Sequence, residues 1–150
     1  MSFSHSVLFE DNHLLIINKP PGVLSQSDRT GDPSVVDLAQ EFLVKKYNKP
    51  GKAFIGLPHR IDRPTSGILI LCKTSKSLTR MTNMFREGSV RKVYWAITEG
   101  RISQKSGVLK DFLERNRKKN LSYVVKKSTE ASKEAELSFQ VIKHLDKYSL

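Results

Sequence analysis

One carboxylate in this chain lies between two guanidinium groups on a stretch stiffened by proline: His59-Arg60-Ile61-Asp62-Arg63-Pro64-Thr65-Ser66-Gly67. Flanking cations favour the ionised form of a carboxylate, and an ionised aspartate can serve as a nucleophile or a base. Arg60 is two residues from Asp62, so an extended backbone turns both to one side. A cation able to bind phosphate would then stand beside the carboxylate. Pro64 keeps Arg63 out of the helical region, and Thr65, Ser66 and Gly67 supply turn chemistry before an apolar run. Judged on residue types and spacing alone, an Asx-turn carrying a surface ion pair accounts for the segment better than a reactive site does.

Other chemistries find little support. There is no Gly-rich phosphate loop and no G-x-S-x-G elbow. His5, His13, His59 and His144 are scattered, and with one cysteine a structural zinc site is not expected. His59, Asp62 and Ser66 are too close in sequence for a hydrolase triad, whose members usually come from distant segments. A glycoside hydrolase needs two paired carboxylates, but between residues 42 and 98 the only acidic residues are Asp62 and Glu87. Cys72 sits in an apolar run and is read as a small core residue, which suits a reducing compartment.

The elements that must hold Asp62 can be read from periodicity. Val7-Leu8-Phe9 and Leu14 to Asn18 form two short strands around the turn Glu10-Asp11-Asn12, and Lys19-Pro20-Pro21-Gly22 ends the second with a rigid bend. Ser34 caps a helix with Asp37 three residues on. Val35, Leu38, Ala39 and Phe42 make one helical face, which stops near Asn48-Lys49-Pro50-Gly51. Ile68 to Cys72 reads as a central strand buried on both faces. A basic helix over about residues 75–86 follows, with Leu78, Met81 and Phe85 on one stripe and Gly88 as its stop.

Residues 90–98 alternate, with Val93, Trp95 and Ile97 on one face and Lys92, Tyr94, Ala96 and Thr98 on the other. Leu121 to Val125 and Ala135 to Ile142 are further strands. Glu114 to Asn120 is a charged loop or hairpin tip, and Lys147 to Leu150 looks like the first half of another strand. The expected class is α+β, with a mixed, largely antiparallel sheet and flanking helices. The 150 residues suit one domain, with no separate accessory domain.

Charge points to a partner. The net charge is +11, and it is uneven. Residues 1–50 carry −1, whereas residues 51–100 and 101–150 carry +6 each. A basic field over two thirds of a chain suits a polyanion, with a lysine-rich solvated surface or an acidic membrane surface as the competing explanations. The N-terminus has no signal-peptide pattern, and no apolar run is long enough to span a bilayer. A cytoplasmic protein is expected.

The residues also carry a resemblance. His59 to Gly67, followed by an apolar strand and Lys73, resembles the signature of the RluA family of RNA pseudouridine synthases. Glu10-Asp11, then Leu15 to Ile17, then Asn18-Lys19-Pro20-Pro21-Gly22 resemble that family's opening motif in order and spacing. Lys92-Val93-Tyr94-Trp95-Ala96 is similar to its Lys-x-Tyr-x-Ala strand. The Pro64 variant looks like the branch that acts on transfer RNA.

The resemblance implies isomerisation of uridine in ribosomal or transfer RNA, without cofactor or metal. Asp62 aligns with the catalytic aspartate, and Tyr94 with a pocket tyrosine that stacks on the base. Arg60 would fill the space left by a flipped uridine. Lys19, with Pro20, would shape the loop beside the site. Arg63, Lys73 and Lys92 would face RNA, the latter two on a phosphate track with Lys76, Arg80, Arg86 and Arg91. The family's later motif, Thr-Gly-Arg followed by His-Gln-Ile-Arg, supplies an arginine that pairs with the aspartate, and it is absent here. Residues 135–150 resemble what precedes that motif. The chain is therefore expected to be the N-terminal portion of the catalytic domain. A complete member would be a monomer, and the oligomeric state of this chain stays open. The alternative expectation is a non-catalytic RNA-binding module that keeps the fold.

Overall fold

The computed structural model describes residues 3–116, 119 and 121–150. The chain divides into two compact units, Met1–Lys92 and Val93–Leu150.

The first unit opens with a short 3-10 helix, Phe3–Ser6, followed by β1 (Val7–Glu10) and β2 (Leu14–Lys19). The turn between them is locked by Asp11, whose carboxylate accepts the N–H groups of His13 and Leu14. Helix α1 (Val35–Tyr47) starts at Ser34 in the expected capping box with Asp37 and ends at Asn48 in the left-handed conformation. β3 (Gly67–Cys72) and α2 (Ser75–Arg86) complete the unit. Gly88, at φ 73°, terminates α2 as expected.

β2 pairs antiparallel with both β1 and β3. Strand alternation puts Leu15, Ile17 and Lys19 on one face of β2, and all three are fully buried. Leu71 and Leu69 stand opposite Leu15 and Ile17, and Val35, Ala39 and Leu43 of α1 close over them. Each such valine, leucine or isoleucine contributes roughly 1.5–3 kcal/mol by leaving water. Cys72 is buried with them, as expected of a core thiol, and burial raises its pKa.

β3 departs from the expected central strand. It lies at the edge of the three-stranded sheet, and Ile68 is 63% exposed. Part of its free edge is satisfied by non-strand groups. The Ile70 N–H donates to His59 Nε2 at 3.0 Å, and Gly56 exchanges both backbone bonds with Cys72 at 2.8 Å. A run of apolar residues identified a strand, but it could not reveal how many partners that strand has.

The second unit contains β4 (Thr98–Glu99), β5 (Ser106–Asn116), β6 (Leu121–Val125), β7 (Ser132–Gln140) and β8 (Tyr148–Ser149). β4 pairs with β8, and β5 lies between β6 and β7. Every ladder is antiparallel, and the class is α+β as expected.

Two details differ from expectation. Residues 90–98 were expected as one strand, yet only Thr98–Glu99 enters a ladder, and Trp95 is 79% exposed. Alternation marks two faces, but the ladder needs a neighbour, and β8 offers two residues. Glu114, Arg115 and Asn116 belong to β5 rather than to a loop. Of the rest of that expected tip, Arg117, Lys118 and Asn120 lie outside the described residues.

Candidate active site

The turn bearing Asp62 sits at the end of the β2–β3 ladder where Lys19 stands opposite Gly67. Ile61 is buried in the core cluster, while Arg60 and Asp62 on either side of it are exposed. Burial thus alternates over residues 60–62. The Thr65 N–H donates to the Asp62 carbonyl at 3.1 Å and closes the turn. Gly67 then enters β3 at φ 129°, where a side chain would be strained.

The backbone on both sides of Asp62 is clamped to the segment that follows β2. Before it, Ser25 Oγ donates to the Ile61 carbonyl at 2.6 Å and accepts the Ile61 N–H at 3.3 Å. After it, the Arg63 carbonyl accepts the Gly22 N–H at 2.8 Å and Lys19 Nζ at 3.2 Å. Lys19 Nζ also donates to the carbonyls of Pro20 at 3.0 Å and Val23 at 2.7 Å. A buried ammonium is costly unless all its donors are used, and three carbonyls use them here. Burial pulls the Lys19 pKa down, and the negative charge of Asp62 opposes that fall.

The flanking arginines do not form the expected ion pair with Asp62. Arg63 Nη2 pairs with Asp32 Oδ2 at 2.7 Å, and its Nε donates to the Gly22 carbonyl at 2.9 Å. Among the described residues no hydrogen bond or ion pair holds the Asp62 carboxylate.

The structure also separates residues that the sequence grouped. Lys19, Arg60, Asp62 and Arg63 come together. Lys73 does not, because it lies beyond the far end of β3, about 20 Å along a strand that rises ~3.3 Å per residue. There its Nζ meets Glu10 Oε1 at 2.6 Å and the Asp11 carbonyl at 2.7 Å. Lys46 Nζ and the Tyr47 hydroxyl complete that cluster on Glu10 at 2.7 and 2.6 Å. Burial disfavours the Glu10 charge, but the hydrogen bonds from Lys46, Lys73 and Tyr47 outweigh it and bring the pKa to about 2. Lys73 is thus committed to a structural ion pair instead of standing free on a phosphate track. Lys92 is exposed at the end of the first unit, and Tyr94, 60% exposed, belongs to the second.

His59 is structural. Its Nε2 accepts from Ile70, and its ring stacks on Phe85 with centroids 4.4 Å apart. Burial, helped by Lys92, lowers its pKa. Among the described residues no three His, Cys, Asp or Glu side chains gather as a metal site requires, and no helix is long and apolar enough to cross a membrane. Ser25 and Asp32 were not found by sequence reasoning. They are ordinary polar residues of a loop region, and their partners lie some thirty residues downstream.

Comparison with known proteins places this arrangement in context. A family model described as RNA pseudouridylate synthase matches residues 13–150. The ribosomal large subunit pseudouridine synthase C of Rickettsia prowazekii is 32% identical over 140 residues, which is 93% of this chain and 44% of that protein. The ribosomal large subunit pseudouridine synthase D of Borreliella burgdorferi is 29% identical over 148 residues, covering 97% and 45%. Among solved structures, human RNA pseudouridylate synthase domain containing 4 aligns over 98% of this chain and 57% of its own, at 21% identity and a TM-score of 0.80. The chain thus spans less than half the length of these two curated relatives.

Proposed function

This chain belongs to the RNA pseudouridylate synthase family, and from that premise we propose that it carries the reacting carboxylate of a uridine isomerase that acts on ribosomal RNA. The observation that carries the proposal is the Asp62 carboxylate: exposed, held by no hydrogen bond or ion pair among the described residues, on a turn clamped at both neighbouring residues, with Arg60 exposed two positions before it. An enzyme gains from holding a group by its backbone while leaving its reactive atoms free.

In the proposed reaction a flipped uridine presents C1′ to Asp62 Oδ. The carboxylate attacks C1′ as the bond from C1′ to N1 breaks, leaving a glycosyl ester and a uracil anion. The uracil turns, C5 bonds to C1′, and the ester bond breaks to return the carboxylate. Loss of the C5 proton to solvent and protonation of N1 from solvent then restore the ring as pseudouridine. In the competing scheme Asp62 removes a sugar proton and a glycal forms instead. Tyr94 is assigned to stack on the base and assist removal of the C5 proton. Arg60 is assigned to the space vacated by the base, whose extrusion costs a few kcal/mol. Lys92 is assigned to backbone phosphates, which carry most of the affinity of such interfaces. Residues 1–150 would belong to one catalytic domain, and the protein would work in the cytoplasm.

Ribosomal RNA is favoured because the relatives quoted above are named for the large ribosomal subunit. The Pro64 variant is the one feature that favours transfer RNA. The test is release of the C5 hydrogen from uridine-labelled ribosomal and transfer RNA incubated separately with the chain. Release from ribosomal RNA is expected. Release from transfer RNA alone would reassign the substrate. RNA binding without release from either would favour a binding module over an enzyme.

A further inference from the structure

We propose that Arg63 and Asp32 are positioning residues for Asp62, and that the Arg63 guanidinium serves the protein and not the RNA. This rests on the reading of Asp62 as the reacting group.

The guanidinium is already spent in two directions. Its Nε donates to the Gly22 carbonyl at 2.9 Å, and its Nη2 meets Asp32 Oδ2 at 2.7 Å. The Arg63 backbone is spent as well, since its carbonyl accepts from Gly22 N–H and Lys19 Nζ. The residue directly after Asp62 is therefore tied to the bend after β2 through main chain and side chain together. A phosphate approaching the open side of this guanidinium would also meet the Asp32 carboxylate, and like charges at that range repel.

Asp32 is held ready for its role. Its N–H donates to Thr30 Oγ1 at 3.4 Å, while Thr30 donates from its N–H and hydroxyl to Asp28. Pro33 follows and restricts Asp32 to extended backbone. One residue later Ser34 opens α1 with its buried capping box, and Ser27 donates to the same Asp37 carboxylate. The Asp32 loop is thus anchored to a helix start, and through Arg63 it anchors the turn that carries Asp62. Arg63 and Asp32 side chains are 46% and 48% exposed, so their pair adds little to global stability. Its consequence is placement, and small displacements of a reacting group cost rate steeply.

The test compares Asp32→Asn, Arg63→Gln and Arg63→Lys in the full chain, measuring kcat and KM for uridine isomerisation and RNA affinity against salt. Positioning predicts that kcat falls about tenfold in each variant, with KM, affinity and salt slope unchanged. Lysine should not rescue, because it lacks the planar fork that reaches a carbonyl and a carboxylate at once. A raised KM with unchanged kcat would overturn the proposal. So would a log–log salt slope that shrinks by about 0.7 in Arg63→Gln, the mark of one lost phosphate contact on a single strand. Should the wild-type chain turn over no uridine, the parent reading fails and amide NMR decides this one. Asp32→Asn must then shift the resonances of Asp62 to Ser66, and unmoved resonances would overturn it.

Discussion

The two ends of the β2–β3 ladder treat charge in opposite ways. At the end near Cys72, Glu10 is surrounded by Lys46, Lys73 and Tyr47, and every charge in that cluster has a partner. At the end near Gly67, Lys19 is held by carbonyls and Arg63 by the Gly22 carbonyl and Asp32, and among the described residues no hydrogen bond or ion pair holds the Asp62 carboxylate. Both ends have similar raw material, carboxylates next to lysines and arginines on strand ends. The difference is that one end places its carboxylate under side chains of α1 and under Lys73, just past β3, whereas the other exposes it on a turn held by backbone bonds. Charge in the first case closes the structure. In the second it stays available for chemistry.

That contrast can be broken most severely at the structural end. Glu10→Gln leaves Lys73 and Lys46 without their anion and should cost about 2–3 kcal/mol, because Glu10 and Lys73 are largely out of water although Lys46 is half exposed. Urea unfolding measures this, and a loss under ~1 kcal/mol would show that the cluster is not what holds α1 to the sheet.

Next in size is Lys19→Met, which leaves three carbonyls without their donor. It should cost about 2 kcal/mol and, unlike Glu10→Gln, should also lower the isomerisation rate per folded molecule. An unchanged rate would detach Lys19 from the site.

Acid gives a third view. The Glu10 pKa is depressed from 4.5 to about 2 in the folded state. Its stabilisation is therefore present above pH 4.5 and is lost as pH falls toward 2. Wild type should lose stability across that window more steeply than Glu10→Gln does. The lowered His59 pKa acts at higher pH. The unfolded state takes up that proton first, so stability should begin to fall as pH drops below 6.5.

The smallest expected effect is the coupling between the two ends. Sites about 20 Å apart with no shared partner should add within ~0.5 kcal/mol. A double variant Glu10→Gln, Asp62→Asn that departs from additivity by more would mean the ladder transmits strain between them.

Local signals were legible in the sequence. The Ser34–Asp37 capping box, the Asn48 and Gly88 stops, the Asp11 turn and the parity of Arg60, Ile61 and Asp62 all depend on residues within a few positions of one another. Long-range partnership was not legible. Ile68 reads as buried until the number of strands beside β3 is known, and residues 90–98 read as a strand until their ladder partner is counted. β5 escaped notice because Lys110, Asp111 and Glu114 interrupt its apolar residues, although it is the middle strand of its sheet. In the candidate site, the motifs point to Asp62 and Lys19, which the structure brings to one end of the β2–β3 ladder. Lys73 was misgrouped because adjacency to an apolar strand does not say which end of the sheet it faces. Ser25 and Asp32 carry no signature, since what matters is the carbonyl or guanidinium each meets across the turn.

The account stands on Asp62. The most direct measurement is C5-hydrogen release from uridine-labelled ribosomal RNA by wild type and by Asp62→Asn, with the melting transition of both recorded alongside. An exposed carboxylate with no hydrogen bond or ion pair among the described residues adds nothing to the core, so Asp62→Asn should melt within about 2 °C of wild type, since surface changes of this kind stay within ±0.5 kcal/mol. Its release should fall by at least about 10⁴-fold, as expected for loss of a covalent nucleophile. Release by Asp62→Asn equal to that of wild type would contradict the account.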